Sequence, residues 1–309
     1  MVYLVTGGLG FIGSHITAAL VRKGRKVRIL DNFSTGKLEF VKPYQKHIQI
    51  QRGDIRRYRD CEKAMEGVGY VIHQAAFKSV PKSVNSPMLA HEADATGTLN
   101  LLEAARQARV KRFVNASSSS VYGDAKHFPS NESDPTKPLS PYGVAKLAAE
   151  CYAYSYFLNY GLQTVSLRYF NVFGPHQNLD SIYSAVIPAF INHLKSGSSP
   201  VIYGTGRQSR DFTYVENVVA ANLAAAEAPG AGGHIFNIAG GRAYSVIDLY
   251  RQLAKILDKT NIKPVFKPKR RSDPMRSFAD VSAAKKILKW KVIVGFEEGL
   301  KRTVEWFDR

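Results

Sequence analysis

The sequence predicts an α/β fold: a doubly wound parallel sheet followed by a smaller C-terminal α/β lobe. Three observations predict it. Short apolar runs alternate with helical stretches through the first half of the 309 residues. A glycine loop, Thr6-Gly-Gly-Leu-Gly-Phe-Ile-Gly13, joins the first apolar run to the first helical one. Beyond residue 168 the rhythm loosens, as expected of a second lobe closing over the C-terminal edge of a sheet. The expected division is 1–168 and 169–309, with some later segments returning to the first part.

The first strand covers residues 2–6, and the glycines lead into a helix over 11–23. The next strand, 26–30, ends at Asp31. Further apolar runs stand at 48–51, 70–73 and 112–116, too short for helices and spaced by helical patterns, notably 87–108. Such alternation gives parallel strands covered on both faces. The helix expected over 142–160 is apolar nearly all round, with Tyr152, Tyr154, Tyr156, Phe157 and Tyr160, so it is core or interface. A strand follows at 162–169. Helices are expected at 188–195, 216–227, 246–257 and 296–307.

Bulk properties narrow the function. Apolar residues make up 45% and charged residues 22%, the balance of a soluble globular protein. No segment approaches the roughly 20 apolar residues of a membrane helix. The first residues read as a buried strand, not a signal peptide. Cys61 and Cys151 supply neither a disulfide framework nor a metal cluster, so no metal is expected, and a reducing cytoplasm is the expected compartment. The net charge of +18 is high for an enzyme of small molecules. Six Lys/Arg against one Asp lie between Lys263 and Arg276, and four lysines between Lys285 and Lys291. These stretches lack the interleaved aromatics of a base-stacking surface. A solvated basic surface with some phosphate-facing members is preferred to nucleic-acid binding.

Two motifs carry chemistry. Gly7, Gly10 and Gly13 permit a tight turn and close backbone approach, and a helix N-terminus, here Phe11, Ile12 and Gly13, favours a pyrophosphate. Asp31, 18 residues after Gly13, suits ribose hydroxyls and repels a 2′-phosphate, which predicts NAD over NADP. Arg28 nearby argues the other way. Asp54 and Ile55 are candidates for the adenine end, although Asp54 reads equally well as a helix N-cap. Tyr142 and Lys146 stand four apart in Ser140-Pro-Tyr-Gly-Val-Ala-Lys146, so on a helix they share a face. The ammonium is then expected to lower the phenol's pKa and ready it as a base. The serine run Ser117–Ser120 follows a strand; alone it reads as a serine-rich turn, but beside Tyr142 and Lys146 a hydroxyl there completes a Ser–Tyr–Lys set.

Together these residues resemble the extended short-chain dehydrogenase/reductase family, specifically its NDP-sugar 4-epimerases, across essentially the whole chain. The further matching pieces are His73-Gln-Ala-Ala76, Ser117-Ser-Ser-Ser-Val-Tyr-Gly123, Arg168-Tyr-Phe-Asn-Val-Phe-Gly-Pro175 and Ser209-Arg-Asp-Phe-Thr-Tyr-Val215. The resemblance implies a Rossmann-like fold, bound NAD and a homodimer joined through the helices near 87–108 and 142–160. It implies Ser118, Tyr142 and Lys146 as catalytic. It places Asn32, Gln74, Ala75, Ala76, Lys78 and Tyr169 beside the cofactor. On the substrate side it implies Lys78, Ser118, Ser119, Tyr142, Asn171, Val186, Tyr203, Arg210, Arg270, Asp273 and Ser277. Arg210 and Arg270 would grip a diphosphate with guanidinium forks.

The resemblance also separates reactions. Dehydratases of this kind carry an Asp-Glu pair just after the catalytic hydroxyl, and decarboxylases keep an acid in the second place. Here Ser119 and Ser120 stand there. Simple C4 epimerisation of a UDP-hexose through a 4-keto sugar is expected. Ser277 stands where a tyrosine goes with plain hexoses, which leaves room for an N-acetyl group and favours UDP-GlcNAc/UDP-GalNAc, alone or beside UDP-glucose/UDP-galactose. A UDP-glucuronate 4-epimerase and a nucleic-acid-binding member of the same fold are the alternatives. Two positions depart from the family pattern. Asp94 replaces a frequent asparagine. Met275 precedes an arginine, Arg276, that sits one place late and receives no role.

Overall fold

A computed structural model describes residues 1–177, 186–269 and 274–308. In chain order the first part runs β1 (Val2–Thr6), α1 (Phe11–Arg22), β2 (Lys26–Asp31), β3 (Ile48–Arg52), α2 (Tyr58–Ala64), β4 (Val68–His73), α3 (Val80–Asn85), α4 (Pro87–His91), α5 (Gly97–Gln107), β5 (Arg112–Ser118), α6 (Pro141–Tyr160) and β6 (Thr164–Tyr169). The second part runs β7 (Val172–Phe173), α7 (Val186–Lys195), β8 (Val201–Tyr203), β9 (Ser209–Asp211), β10 (Thr213–Tyr214), α8 (Val215–Glu227), β11 (Ile235–Ile238), β12 (Ala243–Ser245), α9 (Val246–Ile256), β13 (Val265–Lys267), β14 (Arg276–Ser277), α10 (Ser282–Ile287) and α11 (Phe296–Phe307).

Seven parallel strands form the main sheet in the order β11-β6-β5-β4-β1-β2-β3. The order reverses at β1, where strands leave in both directions and ligands bind beyond the carboxyl ends. Side chains from α1 and α8, among them Ile16, Leu20 and Val218, form the core on one face. Cys61, Leu101, Leu102 and Ala153 from α2, α5 and α6 form it on the other. Burial on both faces is why the strands read as continuous apolar runs.

The structure departs from the sequence expectation in three places. The helix expected over 87–108 is broken into α4, a wide π-turn at Glu92–Thr96, and α5. The helix at 142–160 is right in extent, yet Val144, Tyr152, Tyr154, Leu158 and Tyr160 are exposed while Tyr156 is buried. Its ends are well set: Ser140 accepts the Gly143 N–H, Pro141 opens the first turn, and Gly161 at φ +68° closes the last. The second lobe adds two- and three-residue strands the sequence did not announce. Its own core joins Phe190, Leu194, Leu249, Leu253 and Leu300 from α7, α9 and α11. No helix among the described residues is long and apolar enough to cross a membrane.

Candidate active site

The glycine loop connects β1 to α1 at the topological switch point. Gly7 adopts φ +64°, and a Cβ there would come 2.7 Å from the Ala75 nitrogen. A Cβ on Gly13 would lie 2.1 Å from the Gly7 carbonyl oxygen. Gly10 differs: it caps α1 without a side chain, and its Cβ would meet only the Gly7 carbonyl, at 3.2 Å. The cradle in front of it is therefore open to an approaching backbone or phosphate. The first-turn N–H groups of Phe11, Ile12 and Gly13 have no partner within the helix and face a ligand with partial positive charge. These residues fit a dinucleotide pyrophosphate.

Asp31 ends β2 and accepts the Leu9 N–H at 3.0 Å and the Phe33 N–H at 2.8 Å. Arg28, the residue that argued for NADP, lies three places earlier and so on the opposite face of the strand. Its guanidinium is held by the carbonyls of Ala64 and Glu66 at 2.8 and 2.7 Å. It is spent at the end of α2, which removes the argument. Asp54 is not a helix cap, because Arg57 precedes α2. It accepts from Asn32 at 3.1 Å and pairs with Arg56 at 2.7 Å, and the Arg56 guanidinium holds its carboxyl well below the usual range. Ile55 is buried in the core beneath it.

The loop after β4 is fixed by a chain the sequence analysis missed. Thr6 Oγ1 accepts the N–H groups of Gln74 and Ala75 at 3.2 Å and lies 2.7 Å from His73 Nδ1. Thr98 donates to the Asp94 carbonyl at 2.6 Å, so it can only accept from His73 Nε2, 3.0 Å away. His73 is thus the neutral Nε2–H tautomer, accepting from Thr6, and burial pushes its pKa down to about 3. A lone histidine in an apolar strand was the signal available. Gln74 donates to the Tyr169 phenol at 3.0 Å. Ala76 and Lys78 are exposed along the loop.

Ser118, Tyr142 and Lys146 meet where β5 ends and α6 begins. Ser118 closes β5 opposite Tyr169 and accepts the Ser120 N–H at 3.1 Å. Its hydroxyl also bonds the Tyr142 phenol. Gly143 lets α6 approach: a Cβ there would sit 2.8 Å from the Ser120 carbonyl oxygen. Lys146 lies 5.9 Å from the centre of the Tyr142 ring and donates to the Ala116 carbonyl at 3.0 Å. The shared helix face is as expected, but the electrostatics differ. Burial, then the Asp94 carboxylate, push the Tyr142 phenol above its ordinary value, and the Ser118 hydroxyl pulls it down. Lys146 stands 4.0 Å from Asp94, so its charge is not reserved for the phenol. Beneath them Arg168 bonds both oxygens of Glu150, at 2.9 and 2.8 Å, and Ser117 donates to Glu150. An arginine inside a buried strand demanded such a partner.

In the second lobe Asn171 takes φ +36° and donates to the Asp211 carbonyl at 3.0 Å. Arg210 lies in β9 between β12 and β14, and Ser277 is its partner in register. Arg276 packs its guanidinium over the Phe128 ring at 5.2 Å. Val186 opens α7 and Tyr203 ends β8. Ser119 follows Ser118 in a short 3-10 turn. Arg270 and Asp273 lie outside the described residues. Among the described residues no cluster of His, Cys, Asp or Glu is placed to hold a metal.

Residues 3–239 match the sequence family described as the NAD dependent epimerase/dehydratase family. The chain belongs to that family. A putative UDP-glucose 4-epimerase of Methanocaldococcus jannaschii is 37% identical over 305 residues, covering 98% of this chain and 97% of that one. The structure of a UDP-N-acetylglucosamine 4-epimerase from Methanobrevibacter ruminantium, in complex with UDP-N-acetylmuramic acid, superposes with a TM-score of 0.94 at 40% identity, covering 99% of this chain and 97% of that chain. A UDP-glucose 4-epimerase from Thermotoga maritima with UDP-glucose gives 0.95 at 37%, covering 100% and 99%. This member of the family is an NAD-dependent enzyme of the epimerase kind.

Proposed function

We propose that this enzyme inverts C4 of a UDP-hexose through a 4-keto sugar. The observation that carries the reading is the assembly of Ser118, Tyr142 and Lys146 at the carboxyl edge of the same sheet that carries the glycine cradle. Tyr142 removes the 4-hydroxyl proton, directly or through Ser118, and later returns it. Lys146 orients the phenol and holds a ribose hydroxyl. NAD, when bound, supplies the capacity to accept a hydride from C4 and give it back to the other face. Ser119 and Ser120 put no carboxyl next to Ser118, so elimination of water has no acid to drive it. Gln74, Lys78 and Tyr169 belong to the cofactor side. Asn171, Val186, Tyr203 and Arg210 belong to the UDP side, with Arg270 and Asp273 assigned there by sequence.

We further propose UDP-GlcNAc and UDP-GalNAc as substrates. Ser277 is small and lies in register with Arg210, the diphosphate candidate, and one of the similar structures is a UDP-N-acetylglucosamine 4-epimerase. A homodimer is proposed through α6: Val144, Cys151 and Leu158, seven residues apart, are exposed along it, with Met88 and Leu89 of α4 exposed beside it. Light scattering that returned a monomer would remove the dimer. The substrate test is proton NMR of purified enzyme with UDP-GlcNAc, UDP-glucose and UDP-glucuronate in parallel, following the anomeric signal of each 4-epimer. Conversion of UDP-GlcNAc is expected. Conversion of another sugar alone keeps the mechanism and overturns the specificity, and conversion of none overturns the epimerase reading for these three.

A further inference from the structure

The π-turn at Glu92–Thr96 serves one side chain. A π-turn widens the helix by one residue and re-aims what it carries, and such turns gather at functional sites. Here it carries Asp94, a fully buried carboxyl pointed at the catalytic lysine from an element about 50 residues earlier in the chain. One oxygen, Oδ1, accepts the Phe77 N–H at 2.7 Å and stands 4.0 Å from Lys146 Nζ. The other, Oδ2, is buried with no hydrogen-bond partner. A buried carboxylate with one empty oxygen is costly, and the nearest cation is Lys146.

Among the described residues the groups that face this carboxyl are few. From α6 come the Lys146 ammonium and, beyond it, the Tyr142 phenol. From the loop after β4 comes the Phe77 N–H. From β4 comes neutral His73, which reaches only the Asp94 backbone, through Thr98. Tyr142 is faced in turn by Ser118 and Tyr169. One ammonium therefore serves two acids.

We propose that Asp94 is a positioning residue for the reaction, an ionisable second anchor that competes with the Tyr142 phenolate for the Lys146 ammonium. With Asp94 ionised, Lys146 is drawn toward the carboxylate and the phenolate loses its counter-charge. With Asp94 neutral, Lys146 rests on the Ala116 carbonyl and supports Tyr142. The inference rests on Tyr142 being the base. Burial raises the Asp94 carboxyl against the pull of Lys146 and the Phe77 N–H.

The test is Asp94→Asn, which keeps an oxygen for the Phe77 N–H and removes the charge. Asp94→Ser is a second neutral variant that fits the same space should the first fold poorly. Rates with UDP-GlcNAc and UDP-glucose are measured across pH beside Tyr142→Phe. Removing a negative charge near the phenol favours the phenolate, so the acidic limb should move to lower pH by roughly one unit or more. A uniform loss of rate without displacement of the limb, or displacement upward, overturns the proposal, since a structural role predicts only the former. Ultraviolet titration of tyrosinate gives the answer without turnover: the component that Tyr142→Phe removes should titrate at lower pH in Asp94→Asn. If Tyr142→Phe retains activity, the base assignment itself is wrong, which is a separate outcome.

Discussion

Gly10, the N-cap of α1, and Gly13, in its first turn, should fail in different ways when changed to alanine. At Gly13 the added methyl meets the Gly7 carbonyl oxygen at 2.1 Å, the Gly7 carbonyl carbon at 2.8 Å and the Gly8 Cα at 2.9 Å. All three are backbone atoms, so nothing can rotate away, and α1 must lift from the loop by more than an ångström to reach ordinary contact. Overpacking of this kind costs about 1–3 kcal/mol, and the rigid neighbours place Gly13→Ala near the upper end. For a chain of this size that lowers Tm by roughly 5 °C. At Gly10 the backbone is extended at φ −81°, open to alanine, and the methyl meets one atom at 3.2 Å. Gly10→Ala should leave the nucleotide-free fold within about 0.5 kcal/mol of wild type. It should still weaken NAD about tenfold or more, because the methyl occupies the path of the pyrophosphate, and about 1.4 kcal/mol of lost contact suffices for that. Melting curves of nucleotide-free protein, followed by calorimetric titration with NAD, separate the two effects. The reasoning is refuted if Gly13→Ala melts like wild type, or if Gly10→Ala is as unstable as Gly13→Ala while binding NAD normally.

Tyr142→Phe should lower kcat by about 10²–10⁴ while NAD binding, read by the same titration, is retained. Ser277→Tyr should remove turnover of the N-acetyl sugars and spare UDP-glucose; unchanged UDP-GlcNAc activity would defeat the pocket argument. Glu150→Ala leaves Arg168, 3% exposed, without its carboxylate, and should cost about 3–5 kcal/mol by urea unfolding. His73 is neutral in the fold with its pKa depressed to about 3, so unfolding below pH about 6.5 takes up a proton. Its stabilising contribution is complete above that value and is lost as pH falls toward 3, at up to about 1.4 kcal/mol per pH unit. Urea midpoints should show that slope, and His73→Asn should flatten it.

What the sequence made legible was local. The glycine loop, Asp31 and the Tyr142–Lys146 spacing each follow from a few adjacent residues and a helix or strand period. The short strands β7 to β10 and β12 to β14 were not legible, because two or three residues carry no period and their pairing is decided by chain segments far away. The direction of the Tyr142 shift was misread for the same reason. Spacing along α6 showed the lysine, but burial of the phenol, the larger cause, is set by the packed fold, and the opposing carboxylate arrives from another element, through a π-turn that leaves no mark in the hydrophobic pattern. Arg28 is the converse case: proximity in sequence suggested a phosphate ligand, while the two-residue period of β2 puts it on the face away from Asp31.

The hydrogen bonds of β4 tie the two halves of the site into one structure. The N–H groups of Gln74 and Ala75 bond Thr6, at the mouth of the glycine loop. Thr6 bonds His73, His73 bonds Thr98, and Thr98 bonds the carbonyl of Asp94. Asp94 in turn holds Phe77 and faces Lys146. Each hydroxyl in the chain has one proton, so the direction of every bond is fixed once Thr98 is committed to the Asp94 carbonyl. A side chain that shifted at either end would leave a buried donor or acceptor unmatched, at a cost of about 1–3 kcal/mol. The glycine loop and Lys146, the proposed cofactor and base-supporting elements, are therefore held in a single register, although no motif in the sequence spans both.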